Sequence, residues 1–378
     1  MKIGILQTAY KKADDYGKFY NVQELGLARA LAAEGHDVTL FKAVDGAGCE
    51  YKECDGRLLV KLISVKYLGI NGLLDVKSLD PTIEKLIYFC DTQIIVPKVY
   101  RWCINNSIEF IPYVGVMESH SESGIKREVM DFLSKRNLKV YKKCNILAKT
   151  PKIKEFLQYS KCTSVKLVSV GLDETVMNHA EMVMDCGETV SNRDDFRILF
   201  IGRMEEEKHP LEMLTIFEKL LDREAGIDAG QKKFSLVMIG DGYMFDEVET
   251  ASKLIRKKYN LDEDRLQLIR KVEYSEMHRY YRSSDVYVNL NRVEILGMSI
   301  LEAMYYECPV IAIDAPGPRF ILAEDEVCGI ITGNADEVEE KIVRLSKEAE
   351  SYREMVEKAK NRVRDEFTWS SIAKKICR

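Results

Sequence analysis

The stretch from residue 284 to residue 319 constrains the fold of this chain more than any other. Its first apolar residues alternate as they do in a β-strand: Val286, Val288 and Leu290. A polar turn follows and ends at Gly297. Residues 298–306 then have the apolar spacing of a helix that faces a sheet, and residues 309–314 have the composition of a further buried strand. A strand, a helix and a strand in this order indicate an α/β fold.

Two glutamates of this stretch, Glu294 on the turn and Glu302 inside the helix, lie eight positions apart. The N-terminus of a helix carries unpaired N–H groups and attracts phosphate, and Gly297 lets the backbone approach a ligand closely. Carboxylates repel phosphate but accept hydrogen bonds from sugar hydroxyls. The turn therefore favours a ligand that combines sugar and phosphate. In the alternative, Glu294 is a solvated loop residue and Glu302 a helix-surface acid.

The Glu294-x7-Glu302 pair, with LEAM around the second glutamate and PVIA at residues 309–312, resembles the E-x7-E signature of the retaining glycosyltransferases of family GT4. The resemblance is specific in the second half of the chain and weaker in the first. It implies an α/β chain with the GT-B fold, in which two Rossmann-like domains face each other across a cleft. It also implies transfer of a hexosyl unit from a nucleoside diphosphate sugar, with retention at the anomeric carbon and with no metal or other cofactor.

A chain of 378 residues has the length of two ordinary α/β domains. The sequence predicts a first domain over residues 1–178 and a second over residues 196–366. The aperiodic segment 176–195 is the expected linker. By the same resemblance, the first domain binds the acceptor, the second binds the donor, and a final helix at about residues 367–378 packs back on the first domain.

The second domain offers two candidate cations for a diphosphate. A predicted strand over residues 196–201 runs into Gly202-Arg203, and Lys208 follows just before a helix. The fork of arginine and the point charge of lysine suit two phosphates, and the segment resembles the GR…EK segment of family GT4. The resemblance implies that both cations stabilise the leaving diphosphate.

The resemblance also assigns the other site residues. Glu294 would hold sugar hydroxyls and Glu302 the ribose hydroxyls. The expected catalytic residues are His120, Arg203, Lys208 and Glu294. The expected donor-binding residues are Gly17, Gly202, Arg203, Lys208, Val272, Glu294, Ile295, Leu296, Gly297, Met298 and Glu302.

The first domain carries weaker signals. His120 lies on the loop after a predicted strand at residues 110–115, at the edge where α/β sheets bind ligands, and a GT4 histidine at a comparable loop borders the reacting sugar. Gly17 is the glycine nearest to the place of a GT4 glycine pair, since Lys18-Phe19 occupy the pair itself. Periodicity further predicts a helix over residues 80–89 and a strand over residues 92–97.

Two motifs of other enzyme classes are poorly supported. Asp262-Glu-Asp264 has the DxD form of a metal motif, but it lies in a helix-to-strand connection. We interpret it as turn chemistry, that is, as acidic residues that form a turn and do not bind a metal. The glycines at 240 and 242 are two of the three in a GxGxxG fingerprint, and Phe245 occupies the third place, which argues against nicotinamide binding. The sequence thus predicts neither a metal site nor a redox cofactor.

Charge is distributed unevenly along the chain. Residues 1–170 hold 26 Lys and Arg and 19 Asp and Glu, a net charge of +7. Because the whole chain has a net charge of −5, residues 171–378 have a net charge of −12. Residues 126–166 alone carry 12 basic and 3 acidic residues. This predicts an anionic partner for the first domain, with an ordinary solvated face as the alternative. Because the resemblance to family GT4 implies a lipid-linked acceptor, the expected anionic partner is a membrane surface.

The other expected partners are a nucleotide-sugar donor and a glycan or lipid-linked acceptor, and no nucleic acid. No apolar run is long enough to span a bilayer and Met1 opens no signal-peptide pattern, so a cytoplasmic protein is expected, either free or attached to the inner face of the membrane. Two rival functions stay open at this point. One is a GT-B nucleotide-sugar epimerase, and the other is a nucleotide-binding module without catalysis.

Overall fold

The computed structural model describes residues 1–16, 22–117, 124–175, 177, 195–225, 233–323, 326–348 and 352–377. These residues form two compact α/β units. Unit 1 comprises Met1–Asp173 with Glu366–Arg378, and unit 2 comprises Glu174–Asp365. Most of the expected linker, and the candidate site residues Gly17 and His120, lie outside the described residues.

The strands, in chain order, are β1 (Lys2–Gln7), β2 (Asp37–Val44), β3 (Cys49–Glu53), β4 (Leu58–Ser64), β5 (Tyr67–Leu68), β6 (Asn71–Gly72), β7 (Lys85–Phe89), β8 (Glu109–Val114), β9 (Ile146–Ala148), β10 (Val165–Leu167), β11 (Asp195–Ile201), β12 (Lys233–Ile239), β13 (Leu266–Ile269), β14 (Val286–Asn289), β15 (Val310–Ile313) and β16 (Ile330–Thr332). The α-helices are α1 (Gln23–Ala33), α2 (Val96–Asn105), α3 (Gly124–Tyr141), α4 (Pro151–Tyr159), α5 (Pro210–Ala225), α6 (Phe245–Tyr259), α7 (Tyr274–Arg282), α8 (Met298–Tyr305), α9 (Pro316–Leu322), α10 (Ala335–Lys347), α11 (Arg353–Glu366) and α12 (Trp369–Cys377).

Unit 1 is built on a sheet with the strand order β10-β9-β8-β7-β1-β2-β4-β3. β3 runs antiparallel to β4, and the other neighbours are parallel. The order reverses between β1 and β7, because the chain leaves β1 toward β2 and returns on the other side as β7. The last helix, α12, packs on α1, where a Cβ at Gly26 would overlap the ring of Trp369.

Two secondary-structure predictions for unit 1 are wrong. Residues 85–89 form β7, not a helix, and this strand pairs with β1 on one side and β8 on the other. A parallel strand buried on both faces is continuously apolar, and over such a short run its pattern cannot be told from that of a buried helix. Residues 92–97 are a turn and the start of α2, where Pro97 stands in the first helical positions that favour proline.

Unit 2 is built on a parallel sheet with the strand order β13-β12-β11-β14-β15-β16. Its strands carry apolar residues that are almost fully buried, among them Ile198, Leu236, Val288 and Ile311. α5 packs on β12 and contributes Met213 and Phe217 to the same core. The sheet holds the loops at the carboxyl ends of its strands on a rigid base.

Candidate functional site

The strand order of unit 2 reverses between β11 and β14. From β11 the chain continues through β12 to β13 on one side, and from β14 it continues through β15 to β16 on the other. In open α/β sheets, ligands bind in the crevice outside the carboxyl ends of the strands at such a switch point. The loop after β11 and the loop after β14 carry most of the predicted donor-binding residues.

The loop after β11 is held against the turn after β12. The N–H of Gly202 donates to the carbonyl of Ile239 at 3.0 Å. Gly240 has a φ of 151° and a Cβ there would overlap the carbonyl oxygen of Gly202, so glycine is required for this close approach. The N–H of Met204 donates to the carbonyl of Asp241 at 2.9 Å. The two loops therefore hold each other in one conformation.

Lys208 and Glu294 meet at this edge, one from each side of the switch point. The ammonium nitrogen of Lys208 lies 2.7 Å from Oε2 of Glu294, and both side chains are mostly shielded from solvent. The stem of Lys208 runs over Gly202, where a Cβ would lie 3.4 Å from Lys208 Cγ. Asn291 Nδ2 donates to the same Glu294 oxygen at 3.0 Å. The carboxylate of Glu294 is thus held by a cation and an amide.

The predicted turn at residues 294–297 leads into α8 through a left-handed residue. Gly297 has a φ of 93° and is the N-cap, and as a glycine it has no side chain to accept the first N–H groups of the helix. The N–H of Gly317, at the start of α9, donates to the carbonyl of Glu294 at 2.7 Å. A Cβ at Gly317 would lie 2.6 Å from the carbonyl oxygen of Leu296, so the turn is pressed against α9. A Cβ at Gly297 would lie 3.4 Å from Cγ of Glu294, so the positive end of α8 lies beside the Lys208–Glu294 pair.

The other predicted residues of this turn, Ile295, Leu296 and Met298, are half-buried. Arg203 is more loosely held, because its side chain is 63% exposed and its guanidinium pairs with Glu205, two residues along the chain. An exposed ion pair of this kind contributes little to stability. In the structure, therefore, Arg203 lies at the site without being fixed in it.

Glu302 lies on the second turn of α8 and is 3% exposed. Its Oε2 accepts a hydrogen bond of 2.8 Å from the hydroxyl of Tyr281 on α7. Its Oε1 is buried and has no hydrogen-bond partner among the described residues. Burial raises the pKa of this carboxyl group to about 7, against the lowering effect of the Tyr281 and Tyr274 hydroxyls. The alternative that Glu302 is a helix-surface acid is wrong.

The remaining predicted residues divide into two groups. Val272 is half-buried in the turn after β13, on the same edge of the sheet but two strands away from β11. Asp262 accepts a hydrogen bond from the N–H of Arg265 at 2.9 Å, at the opposite edge, where β13 begins. This agrees with the interpretation of the DxD sequence as turn chemistry. The positions of Gly17 and His120 stay predictions.

Two side chains of this site were not predicted from the sequence. Asn291 holds Glu294, and it could have been noticed as an amide directly after a buried strand. Tyr281 holds Glu302, and no sequence signal marks it, because its place beside α8 follows from the packing of α7. Tyr281 in turn is stacked on Tyr306, with ring centroids 5.8 Å apart. These contacts fix the two glutamates independently of each other.

The architecture defines a GT-B protein. Sucrose-phosphate synthase from Thermosynechococcus elongatus superposes with a TM-score of 0.69 at 16% identity, over 100% of this chain and 97% of that one. HepE from Anabaena, solved in complex with UDP, superposes with a TM-score of 0.65 at 15% identity, over 100% of this chain and 98% of that one. The fold predicted from the sequence is confirmed.

The second half of the chain also matches a known family. Residues 187–362 match the family model described as glycosyl transferases group 1. The chain is 27% identical to trehalose synthase of Pyrococcus horikoshii over 175 residues, 44% of this chain and 39% of that protein. It is 32% identical to the amylovoran biosynthesis glycosyltransferase AmsD of Erwinia amylovora over 148 residues, 39% of this chain and 38% of that protein. The chain thus spans about two fifths of the length of these curated relatives.

Proposed function

We propose that this chain is a retaining glycosyltransferase that moves a hexosyl unit from a nucleoside diphosphate sugar to a glycan or lipid-linked acceptor, in surface polysaccharide biosynthesis. The observation that carries the proposal is the contact between Lys208 and Glu294 at the switch point of unit 2. A cation and a hydroxyl-binding carboxylate at one helix N-terminus match a ligand in which a phosphate and a sugar are neighbours.

In this proposal unit 2 binds the donor. Lys208, Arg203 and the N–H groups at the start of α8 receive the diphosphate, and Glu294 turns toward the hydroxyls of the sugar. Arg203 can leave its exposed pair with Glu205 at little cost. Oε1 of Glu302, which has no hydrogen-bond partner among the described residues, accepts a hydrogen bond from a ribose hydroxyl. A buried acceptor without a donor is costly, and a bound nucleotide removes that cost.

The proposed chemistry is substitution at the anomeric carbon with retention. The bond from that carbon to the diphosphate oxygen breaks, and the acceptor oxygen forms a new bond on the same face of the sugar. The leaving phosphate takes the acceptor proton. Negative charge therefore grows on the diphosphate, where fixed cations and helix N–H groups stabilise it without reorganisation. Because Lys208 and Arg203 supply this charge, we propose that no metal is required, and that activity survives EDTA.

UDP is the first nucleotide to test. Solved relatives of this fold were crystallised with UDP, with UDP-glucose and with UDP-2-fluoro glucose. For this chain, a thermal-shift screen of UDP-, GDP- and ADP-sugars identifies the base. Ligand at about 100 times its Kd stabilises the site by roughly 2.7 kcal/mol, which is readily measured.

The reaction itself is tested by ¹H NMR with the donor selected in that screen and a panel of glycosides as acceptors. We expect release of nucleoside diphosphate only with an acceptor present, and a product with the anomeric configuration of the donor. Conversion of the nucleotide sugar without an acceptor would identify an epimerase. Binding with no turnover on any acceptor would leave a non-catalytic module, and an inverted product would contradict the retaining mechanism.

We further propose that unit 1 attaches to anionic membranes through α3. Phe132 is 65% exposed on this helix, and Lys135 and Lys139 are exposed beside it. Lys142 and Lys143 are exposed just after the helix. An aromatic side chain among lysines suits an anionic leaflet, to which each basic residue adds about 1 kcal/mol. Among the described helices, none combines the length and the apolar character of a bilayer-spanning segment.

Cosedimentation with vesicles tests this attachment. Lys135, Lys139, Lys142 and Lys143 changed together to Glu should abolish binding to vesicles with anionic lipid at low salt. Arg136 is left unchanged, because its guanidinium donates to the carbonyls of Gln93 and Ile94 and serves the fold. Equal binding of the wild-type protein to anionic and neutral vesicles would make this face ordinary solvated surface.

A further inference from the structure

Unit 1 places one lysine at the carboxyl edge of its own sheet. Lys149 directly follows β9, and its N–H donates to the carbonyl of Val114 at the end of β8, at 2.9 Å. The next residue, Thr150, caps α4 by accepting the N–H of Ile153 at 3.3 Å. The backbone of Lys149 is therefore fixed on both sides. This edge is the one at which the strand order of unit 1 reverses.

The side chain of Lys149 reaches across two strands toward that reversal. Its ammonium nitrogen lies 5.0 Å from the ring centroid of Phe89, at the end of β7, and 5.1 Å from that of Tyr113 on β8. It also lies 3.1 Å from Oε1 of Gln23, in the first turn of α1. Since α1 follows β1, the ammonium group sits between the elements on the two sides of the β1–β7 switch point.

The path of this side chain depends on Gly115. A Cβ at position 115 would lie 2.6 Å from Lys149 Cδ, so any larger residue would displace the lysine stem. Gly115 is itself held by Asp91, whose Oδ1 accepts the N–H groups of Gly115 at 2.6 Å and Val116 at 3.0 Å. The carboxylate of Asp91 thus accepts hydrogen bonds from backbone N–H groups.

Lys149 has no ion-pair partner within the described ranges of the chain. Its contacts there are one amide oxygen and two ring faces, which orient a cation without neutralising it. An ammonium group has three donors, and Gln23 takes one of them. A half-buried charge that is oriented but not paired is arranged to receive an anion from outside the fold.

We propose that Lys149 binds an anionic group of the acceptor and selects acceptors that carry a carboxylate or a phosphate. The inference deepens the proposed function and rests on unit 1 being the acceptor-binding unit. Carboxylate and phosphate both present negatively charged oxygens to an ammonium group, so an acceptor with either group fits the environment of Lys149. Lys149 acts in specificity and takes no part in the cleavage of the donor.

Ligand-observed NMR titration of the full chain with glucose, glucuronic acid and glucose 6-phosphate tests the assignment. The wild-type protein should bind at least one of the two acidic sugars about tenfold more tightly than glucose, the scale of one charged hydrogen bond. The acidic sugar that is preferred distinguishes a carboxylate from a phosphate as the recognised group. In K149M this preference should fall to within about twofold.

Two control variants separate recognition from folding. K149R keeps a cation over the two rings and should keep the preference, whereas K52M removes an exposed lysine of β3 and should leave the preference unchanged. Equal binding of all three sugars by the wild-type protein, or an unchanged preference in K149M, would overturn the assignment. UDP titrations of the same samples should give equal affinities. Absence of UDP binding in the wild-type protein would count against the donor site of unit 2 and leave the Lys149 result standing.

Discussion

Replacement of Glu302 by Gln should remove a pH dependence from the stability of unit 2. The carboxyl group of Glu302 is buried, and its pKa is about 7 in the folded protein against an ordinary value of 4.5. Between these two values the folded protein keeps a proton that the unfolded chain has released. The contribution of Glu302 to the free energy of unfolding is therefore greatest below pH 4.5, falls as the pH rises, and reaches its lower level above pH 7.

The size of this effect follows from the two pKa values. Their difference corresponds to about 3 kcal/mol of free energy between pH 4.5 and pH 7. In E302Q the side chain carries no titrating proton, so this part of the slope should disappear. Y281F should enlarge the pH dependence that E302Q removes. The Tyr281 hydroxyl donates to the charged carboxylate, so its loss raises the pKa of Glu302 further and extends the fall in stability to higher pH.

Amide hydrogen exchange measures the opening of unit 2 directly, through peptides from β14 and β15 and after correction for intrinsic exchange rates. The chain also provides an internal control, because its two tryptophans, Trp102 in α2 and Trp369 in α12, both lie in unit 1. Urea unfolding followed by tryptophan fluorescence should give the same pH profile for the wild-type protein and E302Q. If the exchange profiles of unit 2 are also parallel between pH 5 and pH 8, Glu302 is charged throughout and the reasoning from burial is wrong.

Three further substitutions test the donor loops. R203A and K208M should each lower kcat/KM about 100-fold, the scale of one lost transition-state donor, and rates within threefold of wild type for both would remove these cations from the site. G240A should destabilise unit 2 by about 3 kcal/mol or more, because its Cβ would overlap the carbonyl oxygen of Gly202 and its φ is unfavourable for alanine. The control is G333A, also in unit 2, where a Cβ would meet only the Glu337 side chain at ordinary distances of 3.4 Å or more. Equal opening free energies of the two variants, measured by hydrogen exchange of unit 2 peptides, would show that the loops after β11 and β12 can move apart.

The fold of unit 2 was largely predictable because residues that mark the ends of strands and the starts of helices are present in its sequence. β11 and β12 run into glycines, and α8 begins after Gly297. Unit 1 was harder between residues 80 and 97. There a strand in the middle of the sheet is too short and too uniformly apolar to show a period, and its identity is decided by pairing with β1 and β8. Such pairing joins residues that are distant in sequence.

The candidate site was predictable as a set of residues but not as a set of contacts. The sequence predicted Lys208 as a cation for phosphate and Glu294 as a sugar ligand, each alone. The structure shows them paired with each other, since strands that flank a switch point bring their loops together. The burial of Glu302 could not be seen from its position either. It depends on how closely α7 and its Tyr281 pack against α8.

Calorimetric titration of E294Q and E302Q with UDP and with UDP-glucose tests most directly how the two glutamates share the donor. E302Q should bind both ligands about tenfold or more weakly, because both contain the ribose. E294Q should lose affinity for UDP-glucose alone. Its affinity for UDP should stay equal or increase, because Lys208 no longer has Glu294 as a charged partner and can bind the diphosphate. Equal losses of UDP affinity in both variants would contradict the division of the donor between the two glutamates.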